Sequence, residues 1–168
     1  MMPKVDGVGL ADAEFRDALG RFASGVTVVT GIRADGSLAG LTASAFTSVS
    51  LRPPLVAVCL NRQTACIEAF TRGSHFAINV LGEGQKRLSV HFSRPSPDKF
   101  QAIDYRLNRH GCPLLDGSLA VIECTRDAVH EAGDHFLVLG RVDSLNTTAN
   151  DLPLLHFRGD YYGLSDKL

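Results

Sequence analysis

Two long strand-like runs, Ser118–His130 and Phe136–Leu145, flank Ala132-Gly133-Asp134-His135, and this pairing constrains the chain more than any other feature. The interval is rich in φ-permissive and turn-forming residues, so the runs are expected to fold back on each other as a long antiparallel hairpin. Shorter strand signals precede it. Val26-Thr27-Val28-Val29-Thr30 is a β-branched run, and Ala34-Asp35-Gly36-Ser37 supplies hairpin-turn chemistry before Leu38-Ala39-Gly40-Leu41-Thr42. Pro53-Pro54 cannot donate ladder hydrogen bonds and separates the segment Ala43–Ser50 from the apolar strand Leu55–Leu60, and His75–Leu81 reads as a further strand.

Helical signals are few and short. Phe15, Ala18, Leu19 and Phe22 fall at helical spacing within Asp12–Ser24, with Asp12 as the expected N-cap and Gly25 as the stop. Gln63–Arg72, closed by Gly73, and Glu83–Phe92 read as two more helices, and Arg94–Asn108, with Pro95 and Pro97, as a surface excursion. The βαβ alternation of a doubly wound sheet is not sustained, which leaves a mainly β, closed antiparallel barrel decorated with short helices. No repeat or low-complexity tract divides the chain, so residues 10–168 form one expected domain behind a loose lead of residues 1–9.

Composition then removes whole classes of function. With 17 Lys+Arg against 18 Asp+Glu the formal net charge is −1, and the longest basic run is Lys86-Arg87, so duplex nucleic acid is a poor partner. No stretch suits a signal peptide or a membrane span. Cys59, Cys66, Cys112 and Cys124 show no C-x-x-C spacing, which fits free thiols and a cytoplasmic protein. At 168 residues the core needs neither disulfide nor metal.

The familiar catalytic motifs fail on particular residues. Gly82-Glu83-Gly84-Gln85-Lys86-Arg87 resembles a dinucleotide fingerprint, but Arg87 stands where a small residue must let helix and strand pack closely. His130 and His135 are five apart, with Gly133 between them, which is wrong for a helical zinc site; no metal is expected. No G-x-S-x-G elbow or acid pair stands out.

A hydroxyl-rich run does stand out. In Gly40–Pro54 the hydroxyls of Thr42, Ser44, Thr47, Ser48 and Ser50 interleave with small and apolar residues. An edge strand facing water would look the same. The alternative is a segment whose main chain meets a flat polar heterocycle edge-on while its hydroxyls bind phosphate. Asn61-Arg62-Gln63-Thr64, read as a helix start, offers free N–H groups, a guanidinium and a hydroxyl as a second phosphate contact.

Thr42-Ala43-Ser44-Ala45-Phe46-Thr47-Ser48-Val49-Ser50 with Pro53-Pro54, then Cys59-Leu60, Gly111-x-Pro113-Leu114-Leu115, Gly133-Asp134-His135 and the closing Pro153–Tyr161 segment strongly resemble the flavin reductase family. The resemblance spans about residues 12–164. It implies an FMN-binding split β-barrel of Greek-key type, a homodimer, and NAD(P)H-dependent reduction of FMN or FAD for a partner flavin-dependent monooxygenase. By the same resemblance Thr42, Ala43, Ser44, Ala45, Thr47, Ser48, Val49 and Ser50 line the flavin, with Ser48 and Ser50 towards its phosphate. Cys59, Leu60 and Asn61 form the next wall, Thr64 caps the phosphate, and Phe92, Ser93 and Lys99 close the far side. Gly133 and Asp134 belong to the nicotinamide motif, in which His135 seats NADH or NADPH. Ala45 stands where many members carry serine or asparagine. A flavin carrier or sensor without turnover is the competing reading, because fold alone does not settle function.

Overall fold

The computed structural model describes residues 11–148 and 152–165; the expected lead at residues 1–9 lies outside them. The first helix, α1, runs Asp12–Gly20. Its N-cap is Ala11 rather than Asp12, with no side-chain cap, so Asp12 and Glu14 act instead as acidic first-turn residues favoured by the helix dipole. The helix also stops short of Ser24, because Ser24–Gly25 (β1) pairs with Leu155–Phe157 (β11), which continues into Asp160–Tyr162 (β12). Here tertiary pairing overrides helical propensity.

Seven strands form the main sheet: β2 Thr27–Ile32, β3 Leu38–Ala43, β4 Phe46–Leu51, β5 Pro54–Asn61, β6 His75–Val80, β9 Ala120–Ala132 and β10 His135–Thr147. Their order is β3-β2-β6-β9-β10-β5-β4, and every pair is antiparallel. The two edge strands, β3 and β4, are consecutive in sequence and joined only by Ser44-Ala45. Three residue steps reach at most about 11 Å. The sheet must therefore roll until its own edges almost meet, and since those edges do not pair, the result is a split barrel.

The long hairpin forms as expected, slightly shifted. β9 and β10 turn through Gly133, whose φ of 62° lies in the left-handed region that glycine tolerates best. Asp35 fixes the β2–β3 turn by accepting hydrogen bonds from the Ser37 amide at 2.9 Å and hydroxyl at 2.6 Å.

Three further expectations change. The helix expected over Gln63–Arg72 is only α2, Ile67–Thr71, because residues 62–66 form turns and irregular chain after the end of β5. The Arg94–Asn108 excursion contains β7, Tyr105–Leu107, paired with β8, Pro113–Leu115. Phe100, Ile103 and Tyr105 pack against the buried cluster that contains Leu81, Phe92 and Leu115. This segment closes one side of the core, in a region where prolines masked any period. The helix expected over Glu83–Phe92 divides into a 3₁₀ turn, Glu83–Gln85, and α3, Lys86–Ser93.

Inside the barrel, Val29, Val58, Leu60, Phe70, Phe76, Ile78 and Val138 form the main apolar cluster. Thr30, Asn79 and Ser89 are fully enclosed polar residues, and Asn79 donates to the Val28 carbonyl at 3.0 Å and the Thr30 hydroxyl at 3.1 Å, and accepts from the Leu115 amide at 2.8 Å. Thr30 passes its own proton to the Pro113 carbonyl. This chain of satisfied bonds ties β2 and β6 to β8. All four cysteines are free thiols. Among the described residues no helix is long and apolar enough to cross a membrane, and no cluster of three or more His, Cys, Asp or Glu side chains suits a metal ion.

Candidate functional site

Among the described residues the split leaves β4 with a free main-chain edge, and on this edge lies the hydroxyl run. Ser44, Ala45, Thr47, Ser48 and Val49 are exposed, whereas Ser50 is half-buried. Between Ser48 and Ser50 the register with β5 slips, so Val49 is bulged out of the ladder. A bulge on an edge strand leaves unpaired amides facing outward. At the start of the run the Ala45 carbonyl accepts from the Cys59 amide at 2.9 Å, which joins this segment to β5. Ala43 and Leu60 turn their side chains into the core, so they offer the outer surface main chain only. Cys59 is half-buried and Asn61 exposed.

The next strand brings in the late motif. In the β5–β10 ladder His135 stands directly opposite Asn61, and Leu137 opposite Cys59. Residues directly opposite in an antiparallel pair share a face. His135 Nδ1 donates to Asp134 Oδ1 at 2.7 Å, which holds the Asp134 carboxyl below its ordinary range and leaves Nε2 of His135 without a partner among the described residues.

Arg62 fixes the hairpin tip. Its amide donates to the Asp134 carbonyl at 3.0 Å and its guanidinium to the Gly133 carbonyl at 3.2 Å. The guanidinium also pairs with Glu131 at 3.3 Å and lies 4.8 Å from the Phe136 ring centroid. The sequence reading of Arg62 as a phosphate contact at a helix start is therefore corrected on both points: α2 begins at Ile67, and the guanidinium is taken up by the hairpin.

Beside this face opens a cleft of about 590 Å³, whose walls include Arg33, Thr42, Thr64, Phe92, Ser93 and Lys99. Five of these were candidates from sequence, and three distant segments bring them together. The remaining candidates, from Ala43 to Ser50, Cys59 to Asn61 and Gly133 to His135, lie outside its lining. Thr42 donates to the Ser89 carbonyl at 2.6 Å, anchoring α3 over β3. Lys99 Nζ donates to the carbonyls of Gly40 at 3.0 Å and Phe92 at 2.9 Å. Burial, with the nearby Arg33 charge, lowers the Lys99 pKa, and burial pushes the Cys66 thiol up. Sequence reading missed Arg33, which stands next to a turn signal and belongs to no motif.

A free strand edge, a histidine held by its neighbouring aspartate and a cationic cleft together suit a flat heterocycle carrying phosphate. The family profile described as "Flavin reductase like domain" matches residues 19–165. The chain belongs to the flavin reductase-like family. This flavin reductase-like domain is 48% identical over 148 residues to a "Probable flavin reductase" of Rhizobium meliloti (strain 1021), covering 88% of the chain and 47% of that protein. It thus spans about half that relative's length. It is 42% identical over 152 residues to the "Flavin-dependent monooxygenase, reductase subunit HsaB" of Mycobacterium tuberculosis (strain H37Rv), covering 89% of the chain and 81% of HsaB. Among solved structures, the Streptomyces globisporus NADH:FAD oxidoreductase SgcE6, in complex with NAD and FAD fragments, superposes with a TM-score of 0.87 at 34% identity, covering 91% of the chain and 92% of SgcE6. The split-barrel fold of the flavin reductase-like domain agrees with these relatives.

Proposed function

We propose that the chain is an NAD(P)H:flavin oxidoreductase that supplies reduced FMN or FAD to a flavin-dependent monooxygenase. The flavin ring lies along the free edge of β4 and the outer face of β5. Its phosphate-bearing chain extends past Thr42 towards Thr64, Phe92, Ser93 and Lys99. NADH or NADPH enters beside Gly133-Asp134-His135. The observation that carries this reading is the β5–β10 register, in which His135 is opposite Asn61 and the nicotinamide motif thereby adjoins the flavin wall.

The chemistry is hydride transfer from nicotinamide C4 to flavin N5, which requires stacked rings at reactive distance and not a strong general base. Unpaired amides around the Val49 bulge provide donors for negative charge that develops on the ring. Asp134 fixes the imidazole tautomer so that His135 Nε2 points away from it and can orient the nicotinamide carboxamide. Arg62 holds the hairpin tip on β5.

A second copy of the chain covers the apolar surface left on α1, on the bend after it and on β4, where Phe15 (54% exposed), Leu19, Phe22 (82%), Val49 and Leu51 (90%) stand open. The homodimer this implies is tested by sedimentation. The four free thiols support a cytoplasmic setting.

Oxidation of NADH and NADPH, followed with FMN or FAD added, tests the activity. Flavin binding without oxidation of either nucleotide would establish the carrier reading instead. His135→Ala is expected to raise the KM for NAD(P)H and leave the flavin dissociation constant nearly unchanged; equal loss of both would remove His135 from the nicotinamide site.

A further inference from the structure

The cleft beside the ring site holds two cations, and none of its lining residues is a carboxylate. Among the described residues neither Arg33 nor Lys99 takes part in a salt bridge. Bringing two like charges together in a half-enclosed cleft is unfavourable; the Asp35 carboxylate, outside the lining, offsets part of the Arg33 charge, and an anion between the two cations would relieve the rest.

The two cations stand at different depths. The cleft follows β3 from Thr42 to Leu38, four residues and therefore about 13 Å at strand rise. Lys99 is fixed near its middle, by the Gly40 carbonyl. Arg33 is fixed at its far end, where its guanidinium donates to the Leu38 carbonyl at 3.0 Å and the Ser37 hydroxyl at 3.3 Å. These bonds use one terminal nitrogen and leave the rest of the guanidinium fork available. A ligand whose ring lies on β4 enters this cleft at Thr42, so a first phosphate meets Lys99 and only a longer diphosphate tail reaches Arg33. The tip of the β9–β10 hairpin contributes nothing to the lining.

We propose that Arg33 is a specificity-determining residue that binds the distal phosphate of a flavin dinucleotide and so favours FAD over FMN. This rests on the ring placement given above. A diphosphate ester also occurs in the nicotinamide dinucleotides, and the test separates the two sources.

Dissociation constants of FAD, FMN and riboflavin are measured by quenching of flavin fluorescence on the full chain and on Arg33→Gln, alongside KM values for NADH and NADPH. Arg33→Gln is expected to weaken FAD about tenfold, the scale of one charged hydrogen-bonding partner, with FMN and riboflavin moving less than about twofold. Arg33→Lys should keep part of the FAD preference. In the unmodified protein, FAD should bind more tightly than FMN, a measurement that needs no variant to fold. Equal weakening of FMN and FAD, an unchanged FAD constant, or a rise confined to the KM for NADH or NADPH would each overturn the assignment of Arg33 while leaving the flavin site standing. Failure of the unmodified protein to bind any of the three flavins would remove the site reading itself.

Discussion

Gly40 couples the fold to the cleft more directly than any other residue, and Gly40→Ala tests that coupling. A Cβ at this position would lie 2.6 Å and 2.9 Å from two carbons of the Phe92 ring and 3.0 Å from Phe100 Cζ. Ordinary contact begins near 3.4 Å, so the Phe92 ring must retreat by roughly 0.8 Å. Phe92 is fully buried and meets Phe100 edge-on, with centroids 5.2 Å apart. Overpacking of this kind costs about 2 kcal/mol. At this chain length that corresponds to a fall of about 6 °C in the thermal midpoint. Because the Phe92 and Gly40 carbonyls both hold Lys99, flavin affinity should fall as well. Calorimetry on Gly40→Ala, Phe92→Leu and the double variant gives the interaction term. Phe92→Leu relieves the clash, so the double variant should be more stable than additivity allows by about 1 kcal/mol. Strict additivity, or a midpoint unchanged by Gly40→Ala, would refute the argument.

Asn79→Ala strands the Leu115 amide in the core, and denaturant titration should show a loss of about 2 kcal/mol. Arg62→Ala removes an exposed ion pair and a cation–π contact, which is worth only about 1 kcal/mol of stability. The KM for NAD(P)H should nonetheless rise about threefold or more while flavin affinity holds, because the hairpin tip loses the side-chain ties to Gly133 and Glu131 and keeps only its main-chain bonds to β5. Burial raises the thiol of Cys112 to about 11 and that of Cys124 to about 12, against an ordinary 9.0. The unfolded chain therefore loses these protons first. Stability is fully present below pH 9 and declines as pH rises towards those folded-state values. Urea titrations across this range should give a shallower alkaline slope for Cys124→Ala than for the unmodified chain.

The hairpin about Gly133, the Asp35-Gly36 turn and the break at Pro53-Pro54 were legible because each depends on local backbone chemistry. The family was legible because its motifs recur in order along most of the chain. Asp12 looked like an N-cap, but cap identity depends on where the chain enters the helix, and that is set by packing. The residues after Asn61 carried helical spacing, yet Arg62 is drawn away by Gly133 and Glu131, some seventy positions later. Arg33 was invisible for a related reason: its neighbours in the cleft come from α3 and from the irregular chain around Lys99, and only the rolled sheet brings them to β3.

The rolling itself has a further consequence. Ladder hydrogen bonds specify which strands are neighbours, but the two-residue tether Ser44-Ala45 sets how far apart the barrel's lips stand. The aperture is thus a length encoded in the sequence. One inserted residue would widen the mouth without breaking a single strand pairing, and in a scaffold of this design the size of the admitted guest can change independently of the stability of the walls.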